Sequence, residues 1–95
     1  MSDRGTTNTN ARGSAQERRV RKVWLLATFG DGYTAPCHYC GIEVCWFTIT
    51  VDRIIPGILG GTYRRNNIRP ACMHCNSIEG TKLREQLKRE RLVAA

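Results

Sequence analysis

Four of the five cysteines form two Cys-x-x-Cys pairs, Cys37/Cys40 and Cys72/Cys75. Zinc in structural sites takes four soft or borderline ligands in a tetrahedron, and two such pairs supply a complete shell of sulfur ligands. A redox dithiol is the main alternative, but no thioredoxin-like βαβ pattern surrounds either pair. The spacing therefore predicts one structural Zn²⁺ ion. Cys45 is left over and is interpreted as a small core residue.

The segment between the pairs contains groups that suit a second, harder cation. Asp52 lies at the end of a predicted strand, before a Gly-rich loop, and Asn76 follows the second cysteine pair directly. If the zinc site holds both segments, a carboxylate and an amide oxygen face each other, which suits Mg²⁺. Each residue also has a plainer interpretation, Asp52 as a turn cap and Asn76 as a helix cap.

Basic residues surround Asp52 and Asn76 in the sequence, and their positive charge suits the binding of phosphate. A divalent cation beside a basic surface is typical of a phosphodiester site. A solvated basic face is the plainer alternative. The residues concerned are Arg53, Arg64, Arg65, Arg69, Lys82 and Arg84.

Residues 36–82 resemble the HNH endonuclease family, the ββα-metal or His-Me finger fold, in its zinc-stapled four-cysteine form. The order of the motifs carries the resemblance: Cys-x-x-Cys, Asp before a hydrophobic-Pro turn, Gly-Gly, Asn-Ile-x-Pro, Cys-x-x-Cys-Asn and Gly-x-Lys. The segment is similar in particular to small HNH proteins of tailed phages. The resemblance implies that Asp52 and Asn76 bind a catalytic Mg²⁺ or Mn²⁺ ion, and that Asn67 braces the loop and orients the base.

The same resemblance implies the activity and the partner. The expected reaction is DNA hydrolysis, by nicking or double-strand cutting, that leaves 5′-phosphate and 3′-hydroxyl ends. Lys82 and Arg84 are expected nearest to the DNA, with Arg64, Arg65 and Arg69 as further DNA-binding residues. Phage packaging or other DNA-processing proteins are the further partners that the resemblance suggests.

One position departs from the family pattern, which places a general-base His directly after the Asp. This chain has Arg53 there, and a guanidinium stays protonated and cannot accept a proton from water. In one interpretation water bound to the metal ionises without a dedicated base, and Arg53 stabilises the phosphate. In a second, Tyr63, His38 or His74 acts as the base. In a third, the site is degenerate and the domain binds DNA without cutting it.

The expected fold class is α+β: a small ββα-metal (HNH) domain with a treble-clef-like four-cysteine zinc site, preceded by an N-terminal helix. Residues 1–14 read as a flexible basic tail and residues 15–95 as a single domain. The N-terminal helix is predicted over 15–29, the zinc and ββα core over 36–82, and the C-terminal helix over 76–93.

Two patterns set the expected elements. Ser14 and Glu17 form a capping-box pair at the start of the first helix, and Val20, Val23, Trp24 and Ala27 recur at helical spacing along it. Alternation of apolar and polar residues predicts a strand over 46–51, and a short second strand is predicted over 68–71.

The composition limits the classes of function. The 95 residues carry a formal net charge of +7, concentrated in the flanks, while residues 31–61 carry −2. No run approaches the ~18 apolar residues of a membrane span, and the N-terminus lacks an apolar signal segment. We therefore expect a cytoplasmic protein, in the host cell if phage-encoded. The alternatives to a nuclease are a non-catalytic DNA-binding zinc module and a zinc-ribbon-like protein-interaction module.

Overall fold

The computed structural model describes residues 12–94, with side chains up to residue 92. Helix α1 spans Ala15–Phe29, and helix α2 spans Met73–Ala94 at the other end. Between them lie four short strands: β1 Thr34–Pro36, β2 Glu43–Cys45, β3 Ile49–Arg53 and β4 Ile68–Cys72. Most of the predicted basic tail, residues 1–11, lies outside the described residues.

The strands form two separate antiparallel hairpins. In the first, β1 pairs with β2, so that Ala35 lies opposite Val44. In the second, β3 pairs with β4, and the register places Asp52 opposite Arg69. The second hairpin and α2 together form the ββα unit, and the α+β class with a helix at each end is confirmed.

The core lies where α1 meets both hairpins. Its buried side chains are Leu25, Leu26, Ala35, Val44, Ile49 and Ile68. The helical stripe predicted for α1 is wrong: Val20 and Val23 are 50% and 56% exposed, and the helix is buried instead at Leu25 and Leu26. The two small hairpins cover only the C-terminal half of the helix, so tertiary packing overrides the stripe that the pattern suggests.

Helix α1 begins as the sequence predicts. The Ser14 hydroxyl accepts a hydrogen bond from the Glu17 backbone N–H (3.1 Å), and the Glu17 carboxylate accepts one from the Ser14 N–H (2.7 Å). This reciprocal capping box satisfies two backbone donors that the first turn would leave unpaired.

Two element boundaries differ from the predictions, and one hairpin is not predicted at all. The strand expected over 46–51 begins at Ile49 and continues to Arg53, because residues 46–48 form the turn that joins β2 to β3. The pattern does not reveal the first hairpin, because its strands have three residues each, too few to show alternation. Helix α2 begins at Met73 instead of residue 76, directly after Cys72, so Cys75 lies in its first turn.

Candidate active site

The four paired cysteines converge on one point between the hairpins and α2. Cys37 follows β1, Cys40 lies in the next turn, Cys72 ends β4 and Cys75 lies in the first turn of α2. Their Sγ atoms all lie within 4.8 Å of one another. A Zn–S bond of ~2.3 Å in a tetrahedron places the sulfurs ~3.8 Å apart. Cys40 and Cys72 Sγ lie 4.0 Å apart, so the cluster is positioned to bind a metal ion and is consistent with zinc.

The backbone around the cysteines is shaped for this convergence. Gly41 follows the first pair with a positive φ of +80°, a conformation that favours glycine, and its N–H donates to the Cys37 carbonyl (2.9 Å). The His38 N–H donates to the Pro70 carbonyl (2.8 Å), which joins the first cysteine turn to β4. His38 and His74 are exposed, and the metal-binding cluster found among the described residues contains only the four cysteines.

Two of the four thiols, Cys37 and Cys75, have pKa values shifted in opposite directions. Burial opposes ionisation of Cys37, but the backbone N–H groups of Cys40, Cys72 and Tyr39 outweigh it and lower the Cys37 pKa to about 6. Burial raises the pKa of Cys75 to about 12, together with the hydrogen bonds that its thiol donates to the other cysteines and the negative charge of Cys37. Four thiolates in contact therefore need a bound cation, which is what a metal supplies.

Asp52 is held from two sides near the end of β3. Its Oδ2 accepts hydrogen bonds from Arg69 Nε (2.7 Å) and from the Tyr39 hydroxyl (2.9 Å), and its side chain is only 8% exposed. Arg69 also donates to the Tyr39 oxygen (3.1 Å), which closes a triangle of three side chains. Among the described residues no donor contacts Oδ1 of Asp52. This oxygen is the one available to a ligand.

The same triangle sets the protonation of its members. Burial raises the pKa of the Tyr39 phenol, so the hydroxyl remains a hydrogen-bond donor to Asp52. Burial opposes the charge of Arg69, but the hydrogen bonds to Asp52 and Tyr39 outweigh this effect and raise its pKa. The sequence predicts that Arg69 contacts DNA; the structure places it in this ion pair, 22% exposed and lining the open cavity beside Asp52.

Asn76 lies in the first turn of α2, directly after Cys75. Its Nδ2 donates to the Thr50 hydroxyl (3.1 Å), which itself donates to the Ala71 carbonyl (2.8 Å). Because the amide nitrogen faces β3, the amide oxygen is left for another partner. Asn76 and Asp52 line the same open cavity of about 470 Å³.

Glu79 lines this cavity as well and is not among the site residues that the sequence predicts. It lies three residues after Asn76, so both side chains fall on one face of α2. That i,i+3 spacing is the signal from which it could have been found. Glu79 also pairs with Lys82 (3.3 Å), but Lys82 is 69% exposed, so this is a weak surface pair. Tyr39 is another cavity residue that the sequence patterns do not indicate.

Asn67 braces the loop that joins β3 to β4. Its Oδ1 accepts from the Ile55 N–H (2.8 Å), and its Nδ2 donates to the carbonyls of Ile55 (3.1 Å) and Thr62 (2.7 Å). The side chain is buried and all of its contacts are made to backbone atoms. Asn67 therefore holds the two ends of the loop together, as the resemblance implies, and it does not line the cavity itself.

Arg53 lines the cavity and is clamped by the loop. Its guanidinium lies 4.3 Å from the centre of the Tyr63 ring and donates to the Gly61 carbonyl (3.4 Å). It also packs so closely on Gly57 that a Cβ there would lie 2.5–2.7 Å from three guanidinium atoms. Arg21 of α1 lies 4.4 Å from the same Tyr63 ring, so the aromatic ring is stacked with two cations.

The three side chains considered as substitute bases differ in whether they line the cavity. Tyr63 lines the cavity, although its ring is occupied by two guanidinium groups. Neither His38 nor His74 lines it. Of the remaining predicted DNA-binding residues, Arg64, Arg65, Lys82 and Arg84 are exposed. Arg65 lies 5.2 Å from the Trp24 ring of α1.

A family model described as HNH endonuclease matches residues 37–92, more than half of the chain. The chain belongs to the HNH endonuclease family. The match includes both cysteine pairs and the three residues Asp52, Asn67 and Asn76. No curated protein and no solved structure shows significant similarity to this HNH protein. No helix within residues 12–94 has the length and apolar character needed to cross a membrane.

Proposed function

We propose that this HNH protein is a DNA endonuclease that depends on Mg²⁺ or Mn²⁺ and carries one structural zinc ion. The observation that supports the proposal most directly is the shared cavity: Asp52, Asn76 and Glu79 line it from β3 and α2, and Arg53 lines it from the loop side. Carboxylate and amide oxygens are the donors that hard divalent cations prefer, so this donor set fits either ion.

A divalent cation bound by Asp52 and Asn76 would place positive charge on the scissile phosphate and favour the ionisation of water. The orientation of the two metal-binding groups comes from other side chains of the protein. Tyr39 and Arg69 orient the Asp52 carboxylate, and Thr50 orients the Asn76 amide. The cysteine cluster holds the backbone in place at two points of the site. Tyr39 lies between two of the cysteines, and Asn76 directly follows a third.

Arg53 supplies a fixed positive charge for the phosphate. Its contacts with Tyr63, Gly57 and Gly61 restrict its motion, so little reorganisation is needed when charge develops in the transition state. Glu79 is the cavity carboxylate that can accept the proton of the attacking water, in place of the family's histidine. Its weak pairing with an exposed lysine leaves it available.

The exposed cations around the cavity support DNA as the substrate. Arg64 and Arg65 lie on the loop side, and Lys82 and Arg84 lie on α2. Contacts of this kind bind phosphates without reading the sequence. The similarity to small HNH proteins of tailed phages supports a setting in phage DNA processing, inside the infected cell.

Nicking of supercoiled plasmid tests the proposal. The zinc-loaded protein is incubated with Mg²⁺, with Mn²⁺ or without an added second cation, beside Asp52→Asn and a control, Glu43→Gln, which changes an exposed carboxylate outside the cavity. We expect nicking with either ion, none without them, loss in Asp52→Asn and no change in Glu43→Gln. Nicking that persists in Asp52→Asn would reject the assigned site.

A second candidate function is a DNA-binding module without hydrolysis. The Asp52–Arg69 ion pair favours it, because the carboxylate is already neutralised by a cation of the chain. A plasmid that stays intact but shifts on a gel, with an affinity that falls steeply with salt, would establish this function.

A further inference from the structure

The loop between β3 and β4 exposes an apolar surface beside the cavity. Within six residues it carries four large aliphatic side chains, which are 48%, 52%, 68% and 58% exposed. We call this surface the apolar tip; its residues are Ile54, Ile55, Ile58 and Leu59. Isolated exposed apolar side chains are common on proteins, but a contiguous group of this kind marks an interaction surface.

The backbone under the apolar tip is rigid. Asn67 binds both backbone groups of Ile55, and the Pro56 carbonyl accepts hydrogen bonds from Leu59 N–H (3.0 Å) and Gly61 N–H (2.9 Å). Gly60 closes the short turn with a φ of +91°. Because these bonds fix the backbone of the loop, little backbone entropy is lost when a partner covers the aliphatic side chains.

Position and charge indicate the partner. Ile54, Pro56 and Gly57 line the same cavity as Asp52, so the apolar tip continues the surface that faces the substrate. Residues 53–78 contain four arginines and no Asp or Glu. An apolar surface on a loop whose charged residues are all arginines matches a polyanion with an apolar interior, which is the chemistry of the DNA base stack between its phosphates.

We propose that the apolar tip is a wedge that enters a DNA groove beside the bond to be cut and partly unstacks a base step. The inference rests on the proposed function, because it takes the cavity as the place of the scissile phosphate. Aliphatic side chains of DNA-bending proteins act in this way in the minor groove. Flexible pyrimidine–purine steps, mismatches and nicked sites are therefore preferred over stiff duplex.

The test compares Ile58→Ser/Leu59→Ser with Phe47→Ser, all in the Asp52→Asn background so that binding is measured without cutting. Phe47 is 88% exposed in the β2–β3 turn and lies outside the cavity. Its substitution therefore removes exposed apolar surface elsewhere on the protein, as a control for the loss at the apolar tip. The probes are 30-bp duplexes with 2-aminopurine, whose fluorescence rises on unstacking, at TA steps. Zinc content and circular dichroism verify that each variant is folded.

We expect the parent and Phe47→Ser to raise the fluorescence at least twofold at saturation. The double variant should lose this rise and bind about tenfold more weakly, with the same slope of affinity against salt, because no phosphate contact is removed. Unchanged affinity and fluorescence in the double variant would reject the wedge. So would a parent that sediments as a dimer and becomes monomeric with the double substitution, since the tip would then join two copies.

This result is separable from the proposed function. Plasmid nicking that depends on Asp52 but is unaffected by Ile58→Ser/Leu59→Ser would retain the nuclease and reject the wedge. If the protein binds DNA and raises the fluorescence but never nicks, the wedge proposal stands and the protein is a DNA-binding module.

Discussion

Arg69 and Asp52 face each other across the β3–β4 hairpin, and their Nε and Oδ2 atoms lie 2.7 Å apart. The carboxylate proposed to bind a metal ion is thus paired with a cation of the chain. An incoming divalent ion must share Asp52 with Arg69 or displace it. Arg69 is held in this position by Tyr39 as well, so in the proposed site it would both compete with the metal ion and orient the Asp52 carboxylate.

Replacement of Arg69 by methionine should strengthen metal binding. The change removes the competing cation while it retains much of the side-chain volume, and a pair worth ~1.4 kcal/mol corresponds to about tenfold in affinity. Binding of Mn²⁺ can be followed by electron paramagnetic resonance or calorimetry in zinc-loaded protein. Arg84→Met, on the exposed face of α2, is the control and should leave the affinity unchanged. Weaker Mn²⁺ binding in Arg69→Met would show that orientation outweighs competition.

Arg53→His should raise nicking. The substitution supplies the missing histidine. A positioned general base contributes ~10²–10⁴ in rate and a preorganised charge ~10²–10³, so the expected net gain is modest. The rate should then depend on a group with an apparent pKa of ~6.5, the ordinary value for histidine. Glu79→Gln should lower nicking strongly in the parent and only weakly in Arg53→His. Equal losses in both backgrounds would contradict a proton-accepting role for Glu79.

Gly57→Ala should displace Arg53 without unfolding the protein. The new methyl group would occupy the space of the guanidinium, and a flexible side chain can move away at little cost. We expect nicking to fall at least tenfold, since a preorganised charge of this kind contributes ~10²–10³ to a rate. The free energy of unfolding should stay within ~0.5 kcal/mol of the parent. Gly80→Ala is the comparison on the α2 wall of the same cavity, because its Cβ would meet only Arg84 at an ordinary 3.6 Å and would leave Arg53 in place.

Asn67→Ala should destabilise the fold, whereas Asn66→Ala should not. Loss of the Asn67 side chain leaves the backbone groups of Ile55 and Thr62 without their partners, which costs ~1–3 kcal/mol for each buried group left unpaired. Asn66 is exposed and should change the free energy of unfolding by less than ~0.5 kcal/mol. Urea unfolding of the zinc-loaded proteins measures both. If the two variants were equally stable, Asn67 would not be a residue that stabilises the loop.

Zinc removal should unfold the site. Binding of structural zinc contributes ~10–16 kcal/mol in small zinc domains, so a chelator should abolish the cooperative thermal transition. Cys75→Ser should reduce the zinc content, measured by atomic absorption, from one ion per chain to well below one. Cys45→Ser, outside the cluster, should retain a full equivalent. Acidification should release zinc, because protons compete with the metal for thiolates.

Short-range motifs in the sequence determined several features of this protein by themselves. The two cysteine pairs were enough to predict a four-cysteine cluster that could bind a metal ion, because each Cys-x-x-Cys turn presents two sulfur ligands. Ser14 and Glu17 were enough to locate the start of α1, since a capping box also depends on neighbouring residues alone. The family match includes Asp52, Asn67 and Asn76, and their function remains a proposal.

Tertiary structure decided the features that depend on residues distant in sequence. The register of β3 and β4 brings Arg69 to Asp52, so a side chain predicted for DNA became part of an ion pair. The docking of α1 against two small hairpins buried Leu25 and Leu26 instead of the predicted stripe, and it brought Arg21 to the Tyr63 ring. Periodicity reports which face of a helix is apolar, but only the shape and size of the neighbouring elements determine how much of that face is covered.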